Sequence, residues 1–154
     1  MTNNFLPTYI MRHRKENLKK CSLRGLEGRD DCVFFTYPTA VLPDLSSYVV
    51  LAMNAPPLTA ADAEYGLFLI DGTWRYAETM LKFVESKGPV RKRSLVSGYK
   101  TAYPRRQDDC PNPEEGLASV EALYLAYLTL GRNPEGLLDF YYWKDDFLNK
   151  IKSC

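Results

Sequence analysis

Short apolar runs alternate with amphipathic stretches along most of the chain. CVFFTYP (32–38) and SYVVLAM (47–53) are brief, apolar and bounded by Pro, Asp, Ser or Asn, which predicts strands. GLFLID (66–71) is apolar up to its final acid, so it is expected at the centre of a sheet, covered on both faces. VRKRSLVSG (90–98) reads as a further strand. LTAADAEYG (58–66) predicts a short helix opened by Thr59, with acids early in the helix, where its dipole favours them. TWRYAETMLKFVESKG (73–88) places Tyr76, Met80, Phe83 and Val84 at helical spacing and stops at Gly88 and Pro89.

YKTAYPRRQDDCPNPEEG (99–116) is a long, polar, proline-bearing loop, a kind that is usually functional or disordered inside a compact domain. LASVEALYLAYLTLG (117–131) follows as a nearly all-apolar helix stopped by Gly131. PEGLLDFYYWKDDFLNKIKS (134–153) reads as an aromatic-rich helix entered through a proline. No element is assigned before residue 32, and no internal repeat or linker interrupts the series. Strands alternating with helices over 154 residues predict one α/β domain, able to bury about two thirds of its unfolded surface.

Composition agrees with a globular chain: 45% hydrophobic and 25% charged residues. No apolar run approaches the ~20 residues of a membrane span. The opening MTNNFLPTYIMRHRKENLKK lacks the apolar centre of a signal peptide, so a soluble, cytoplasmic protein is expected. Cys21, Cys32, Cys110 and Cys154 form no CxxC pair and His13 is the one histidine, so no metal site is expected and the thiols read as reduced.

Net charge is only +1, but the cations are clustered. Arg12, Arg14, Lys15, Lys19, Lys20, Arg24 and Arg29 lie in one segment, and Arg91, Lys92, Arg93, Lys100, Arg105 and Arg106 in another. These are either solvated loops or, if the fold brings them together, one face for RNA phosphates.

The junction EYGLFLIDGTWRYAETM (64–80) carries the candidate chemistry. A strand ending in Asp-Gly-Thr-Trp presents a carboxylate, Asp71, and an indole, Trp74, at the sheet end where ligands of α/β proteins bind. Asp71 is either such a group or a cap for residues 73 and 74, and Trp74 equally fits a core. GxGxxG and GxxxxGK[ST] are both absent, and a lone histidine leaves no Ser-His-Asp or Cys-His arrangement. Glu121, inside the apolar 117–131 helix, needs a partner, for which Arg91, Arg93 and Lys100 are the candidates.

Several segments together resemble a known family. KKCS (19–22), PLTAADAEYGLFLIDGTW (57–74), VRKRSLVSGYKTAYP (90–104) and GLASVEALYLAYLTLG (116–131) are similar to the small-subunit (18S-type) ribosomal RNA aminocarboxypropyltransferases. The acid-x-x-tryptophan and Ser/Thr-x-Glu-Ala patterns also resemble the DTW-domain tRNA-uridine aminocarboxypropyltransferases. The likeness spans most of residues 19–131 and lies in the order and spacing of the motifs. Gly72 and Thr73 stand where the ribosomal family commonly has Cys-Ser, and Tyr103 where it has asparagine.

The resemblance implies a SPOUT-like knotted α/β fold, with a mostly parallel central sheet flanked by helices and the 99–116 loop in the knot. Within the single domain of residues 1–154, residues 1–65 would contact substrate and cofactor and residues 66–154 would form the SPOUT-like cofactor-binding part. The implied activity is transfer of the 3-amino-3-carboxypropyl group from S-adenosylmethionine to a ring nitrogen of a uridine, or modified uridine, in RNA, ribosomal RNA in preference to tRNA; a SPOUT-type RNA methyltransferase and a non-catalytic RNA-binding or ribosome-assembly protein are the alternative readings. Asp71 would be the catalytic residue, facing the sulfonium and either taking a proton or orienting the base. Trp74, Leu95 and Val96 would enclose adenine, the backbone of Ser94 to Ser97 would read its edge, and Ser22 with Thr101 would hold the amino-acid end. Gly72, Thr73, Tyr103 and Ser119 complete the implied cofactor site. Lys19, Lys20, Arg24, Arg91, Arg93, Arg105 and Arg106 would bind RNA. A monomer is implied, with rRNA processing and ribosome biogenesis as its setting.

Overall fold

The computed structural model describes residues 5–15, 23, 25–52, 55–71, 74–95, 119–141 and 144–152, with the side chains of 74, 75 and 150–152 left out. Five strands form one sheet: β1 (Thr8–His13), β2 (Cys32–Tyr37), β3 (Tyr48–Leu51), β4 (Gly66–Asp71) and β5 (Arg91–Arg93). The helices are α1 (Trp74–Glu85), α2 (Ser119–Thr129) and α3 (Lys144–Lys152). The strand order is β2-β1-β4-β3-β5 and every pairing is parallel. All described strands therefore end at the same edge.

Both sheet faces are covered, as the apolar β4 sequence requires. On one face Ile10, Leu67 and Leu69 pack with Val120, Leu123 and Ala126 of α2 and Phe147 of α3. On the other, Met11, Val50 and Phe68 pack with Met80 and Val84 of α1. Alternation along β1 and β4 thus assigns Arg12 and Asp71 to the α2 face and His13 to the α1 face. Among the described residues no helix is long and apolar enough to cross a membrane.

Strand β1 has no counterpart in the sequence reading. TYIMRH holds only three consecutive apolar residues before the charges begin, yet Thr8, Ile10, Met11 and His13 are all buried because β1 lies between β2 and β4. Its start is fixed by a polar clamp. The Thr8 N–H donates to the Asp31 carbonyl at 2.7 Å, and Thr8 Oγ1 lies 2.7 Å from the Tyr127 hydroxyl, which donates to Asp31 Oδ2 at 3.2 Å. Arg29 closes on Asp31 with two bonds of 2.8 and 3.0 Å and holds its carboxyl below the usual range, while burial pushes the Cys32 thiol up to about 12.

Gly66 is a packing requirement. It pairs in register with Tyr48, whose ring lies over it, stacks on Tyr9 with centroids 4.3 Å apart, and donates its hydroxyl to the Pro7 carbonyl at 2.7 Å. One β3 side chain therefore reaches across β4 to β1.

Two helices expected from sequence are shorter in the structure. Thr59 and Asp62 form a capping box, but only Ala60–Asp62 winds, as a 3-10 turn that leads into β4. Over 134–141 the chain turns instead of winding into a helix. Asn133 Oδ1 accepts the Glu135 N–H at 3.0 Å, and Gly136 sits at φ 87°, a left-handed conformation that breaks helical progression. The α3 helix begins only at Lys144, with Asp145 and Asp146 in its first turn. The 99–116 loop, and with it the expected knot, lies outside the described residues.

Candidate active site

The register of β1 against β4 sets Arg12 directly beside Asp71 at the carboxyl edge of the sheet. Arg12 Nε donates to Asp71 Oδ2 at 3.2 Å, and Ser119 Oγ, from the first turn of α2, donates to Oδ1 at 2.8 Å. Asp71 is only 3% exposed. Three distant segments thus meet on one carboxylate, and both of its oxygens are oriented by protein donors. Charge-assisted contacts of this kind are shorter and stronger than neutral ones.

Arg12 is itself hemmed in. Its guanidinium lies over the Phe34 ring at 4.7 Å, and Nη1 stands 4.0 Å from Glu27 Oε2. Glu27 Oε1 in turn accepts the Gly25 N–H at 2.9 Å. Arg12 thus stands between two carboxylates, those of Asp71 and Glu27. Helices α1 and α2 both begin at this edge, so their positive dipole ends converge on it.

On the opposite face of the same edge lies the lone histidine. Burial, then Lys15 and Arg14, hold His13 below its ordinary pKa of 6.5, and its Nδ1 accepts the Lys15 N–H at 3.1 Å. The ring stacks on Tyr76 of α1, with centroids 4.0 Å apart and planes 23° apart. Tyr76 was expected to share the core stripe of Met80 and Val84. Those two are fully buried, whereas Tyr76 stays 37% exposed at the mouth.

The other expected site residues fall into two groups. Among the described ones, Ser119 joins Asp71, and Leu95 packs half-buried against the α2-side core. Ser94 is tied up internally: its N–H donates to the Pro56 carbonyl at 2.8 Å, its carbonyl accepts from Leu58 at 2.6 Å, and Oγ donates to the Ala55 carbonyl at 2.7 Å. Trp74 opens α1, its side chain not being described. Ser22, Gly72, Thr73, Val96, Thr101, Tyr103, Lys19, Lys20, Arg24, Arg105 and Arg106 lie outside the described residues.

Of the cations expected to meet RNA, Arg93 bonds Asp62 Oδ2 at 3.2 Å, and Arg91 lies 4.0 Å over the Tyr65 ring. Neither is the partner expected for the fully buried Glu121, which accepts from the Tyr141 hydroxyl at 3.0 Å. Lys100 lies outside the described residues. Arg12 on β1 and Arg93 on β5 lie toward the same edge of the sheet, the two strands being three strand spacings, roughly 14 Å, apart.

Among the described residues no group of three or more His, Cys, Asp or Glu is placed to hold a metal. A groove of about 400 Å³ opens between the 133–139 turn and α3, lined by Tyr124, Asn133, Glu135 and Lys144. None of Arg12, Asp71 and Ser119 lines it, so it is separate from the Asp71 corner.

No family model matches the chain, and no curated protein matches it. Among solved structures it is similar to one described as the SAM-dependent rRNA:acp-transferase Tsr3 from Vulcanisaeta distributa, at 21% identity and a TM-score of 0.68, over 97% of this chain and 80% of that one. The two chains share an α/β fold with a parallel five-stranded sheet in the present protein.

Proposed function

We propose that this chain is an S-adenosylmethionine-dependent RNA aminocarboxypropyltransferase acting on a ring nitrogen of a uridine, or modified uridine, in ribosomal RNA. The reading includes the SPOUT-like knotted topology, a monomeric state and a cytoplasmic location. The observation that carries it is Asp71, a buried carboxylate fixed from two sides at the carboxyl edge of a parallel sheet, where α/β folds bind ligands. The fold shared with a structure described as an acp-transferase supports it.

The residues present fit the cofactor. A sulfonium is favoured by the carboxylates of Asp71 and Glu27, the amino-acid carboxylate by the helix N-termini, and the adenine by apolar Leu95. When bound, S-adenosylmethionine supplies an activated methylene carbon on sulfur. The chain's own part is to place the uridine nitrogen in line with that carbon and to receive the imide proton on Asp71. Arg12 and Ser119 orient the two Asp71 oxygens, so the carboxylate is held in place to take that proton. Calorimetry with S-adenosylmethionine, followed by mass analysis of rRNA nucleosides, tests the reading. Gain of an aminocarboxypropyl group supports it; gain of a methyl group, or no cofactor binding by folded protein, rejects it.

A further inference from the structure

Tyr76 lies in the first turns of α1, half-exposed, with one face backed by the buried His13 ring. Behind His13 come Tyr37, with centroids 5.3 Å apart, and Phe83, edge-on to Tyr37 at 5.2 Å. This aromatic ladder fixes the Tyr76 ring before any ligand arrives, so stacking on it costs little ordering entropy. Burial and the neighbouring cations favour the neutral form of His13, which suits it to lie beneath another ring. Arg14 and Lys15, directly after β1, are both exposed. A pre-set aromatic face beside exposed cations is the composition of single-strand nucleic-acid sites, where bases stack and cations take phosphates.

We infer that the Tyr76 ring, backed by His13, is the stacking platform for an unpaired RNA base, with Arg14 and Lys15 on its flanking phosphates. The inference rests on reading the chain as an RNA-modifying protein and assigns a substrate subsite to it. Because His13 projects to the α1 face and Asp71 to the α2 face, the base on Tyr76 is not the one modified. It is a neighbouring nucleotide. The strand crosses the carboxyl edge, one base held on Tyr76 while the reacting uridine enters on the Asp71 side, and Tyr76 thereby sets which nucleotide is presented.

The test is fluorescence anisotropy of a labelled single-stranded RNA of about ten nucleotides against the full chain without cofactor. Tyr76→Leu keeps an apolar contact on His13 but removes the π face, and it should weaken binding about 5- to 150-fold, whereas Tyr76→Phe should stay near wild type. Arg14→Gln with Lys15→Gln should flatten the salt slope by about 1.4. Thermal melts confirm folding, and S-adenosylmethionine affinity should be the same in all variants. Wild-type RNA affinity in folded Tyr76→Leu, or no RNA binding by the wild-type chain, overturns the inference. If RNA binding depends on Tyr76 but the chain binds no S-adenosylmethionine, the subsite stands and the transferase reading falls.

Discussion

Arg12 and Asp71 face each other in register across β1 and β4, 59 residues apart in sequence, with Nε 3.2 Å from Oδ2. That contact turns the end of a buried strand into a site. Replacing Asp71 by Asn keeps the shape but leaves Arg12, whose side chain is 11% exposed, with Glu27 at 4.0 Å and one carboxylate fewer. The variant should lose about 1–3 kcal/mol in denaturant unfolding and about 10²- to 10⁴-fold in single-turnover transfer. A helix-capping role alone would leave both near wild type, because asparagine caps as well as aspartate.

Gly66→Ala should be strongly destabilising, because the new methyl would overlap the Tyr48 ring. Overpacking of this kind costs about 1–3 kcal/mol. Combining it with Tyr48→Leu, which frees the space above Gly66, should recover part of the loss in thermal melts. Additive losses would show that the ring is not the obstacle.

Arg93→Gln should act on stability. Asp62, 6% exposed, caps the 3-10 turn that leads into β4, and Arg93 is its charged partner. A loss of about 1–3 kcal/mol is expected by chemical denaturation, with the salt dependence of RNA binding unchanged. A flattened salt slope at wild-type stability would return Arg93 to the RNA surface.

His13 gives stability a defined pH dependence. Its folded pKa lies below 6.5, so between the two values the unfolded chain binds more protons than the folded one. Stability from this group is therefore intact above the unfolded value, falls as pH drops through 6.5, and levels off below the folded value. His13→Gln should flatten the melting temperature between about pH 7.5 and about pH 5 relative to wild type. An unchanged acid slope would exclude His13 as its source.

What sequence made legible followed local chemistry. GLFLIDGTW announced a buried strand, a carboxylate at its end and a helix beyond, and the structure has β4, Asp71 and α1 there. Strands β2, β3 and β5 and helix α2 lie within their expected segments. Strand β1 escaped because its burial comes from sitting between two other strands, which no pattern within TYIMRH records. Arg12 was hidden with it, appearing as one more cation in a basic run when its position is set by a carboxylate on another strand. The turns at 134–141 escaped because Gly136 bends the chain through a left-handed conformation while the apolar spacing around it still looks helical.

The central claim is most directly tested with S-adenosylmethionine labelled either in its aminocarboxypropyl carbons or in its methyl group, incubated with the full chain and rRNA from cells lacking it. The account predicts that label from the aminocarboxypropyl carbons enters a uridine nucleoside and that methyl label does not. Methyl label in the RNA, or no label from either form with folded protein, would contradict it.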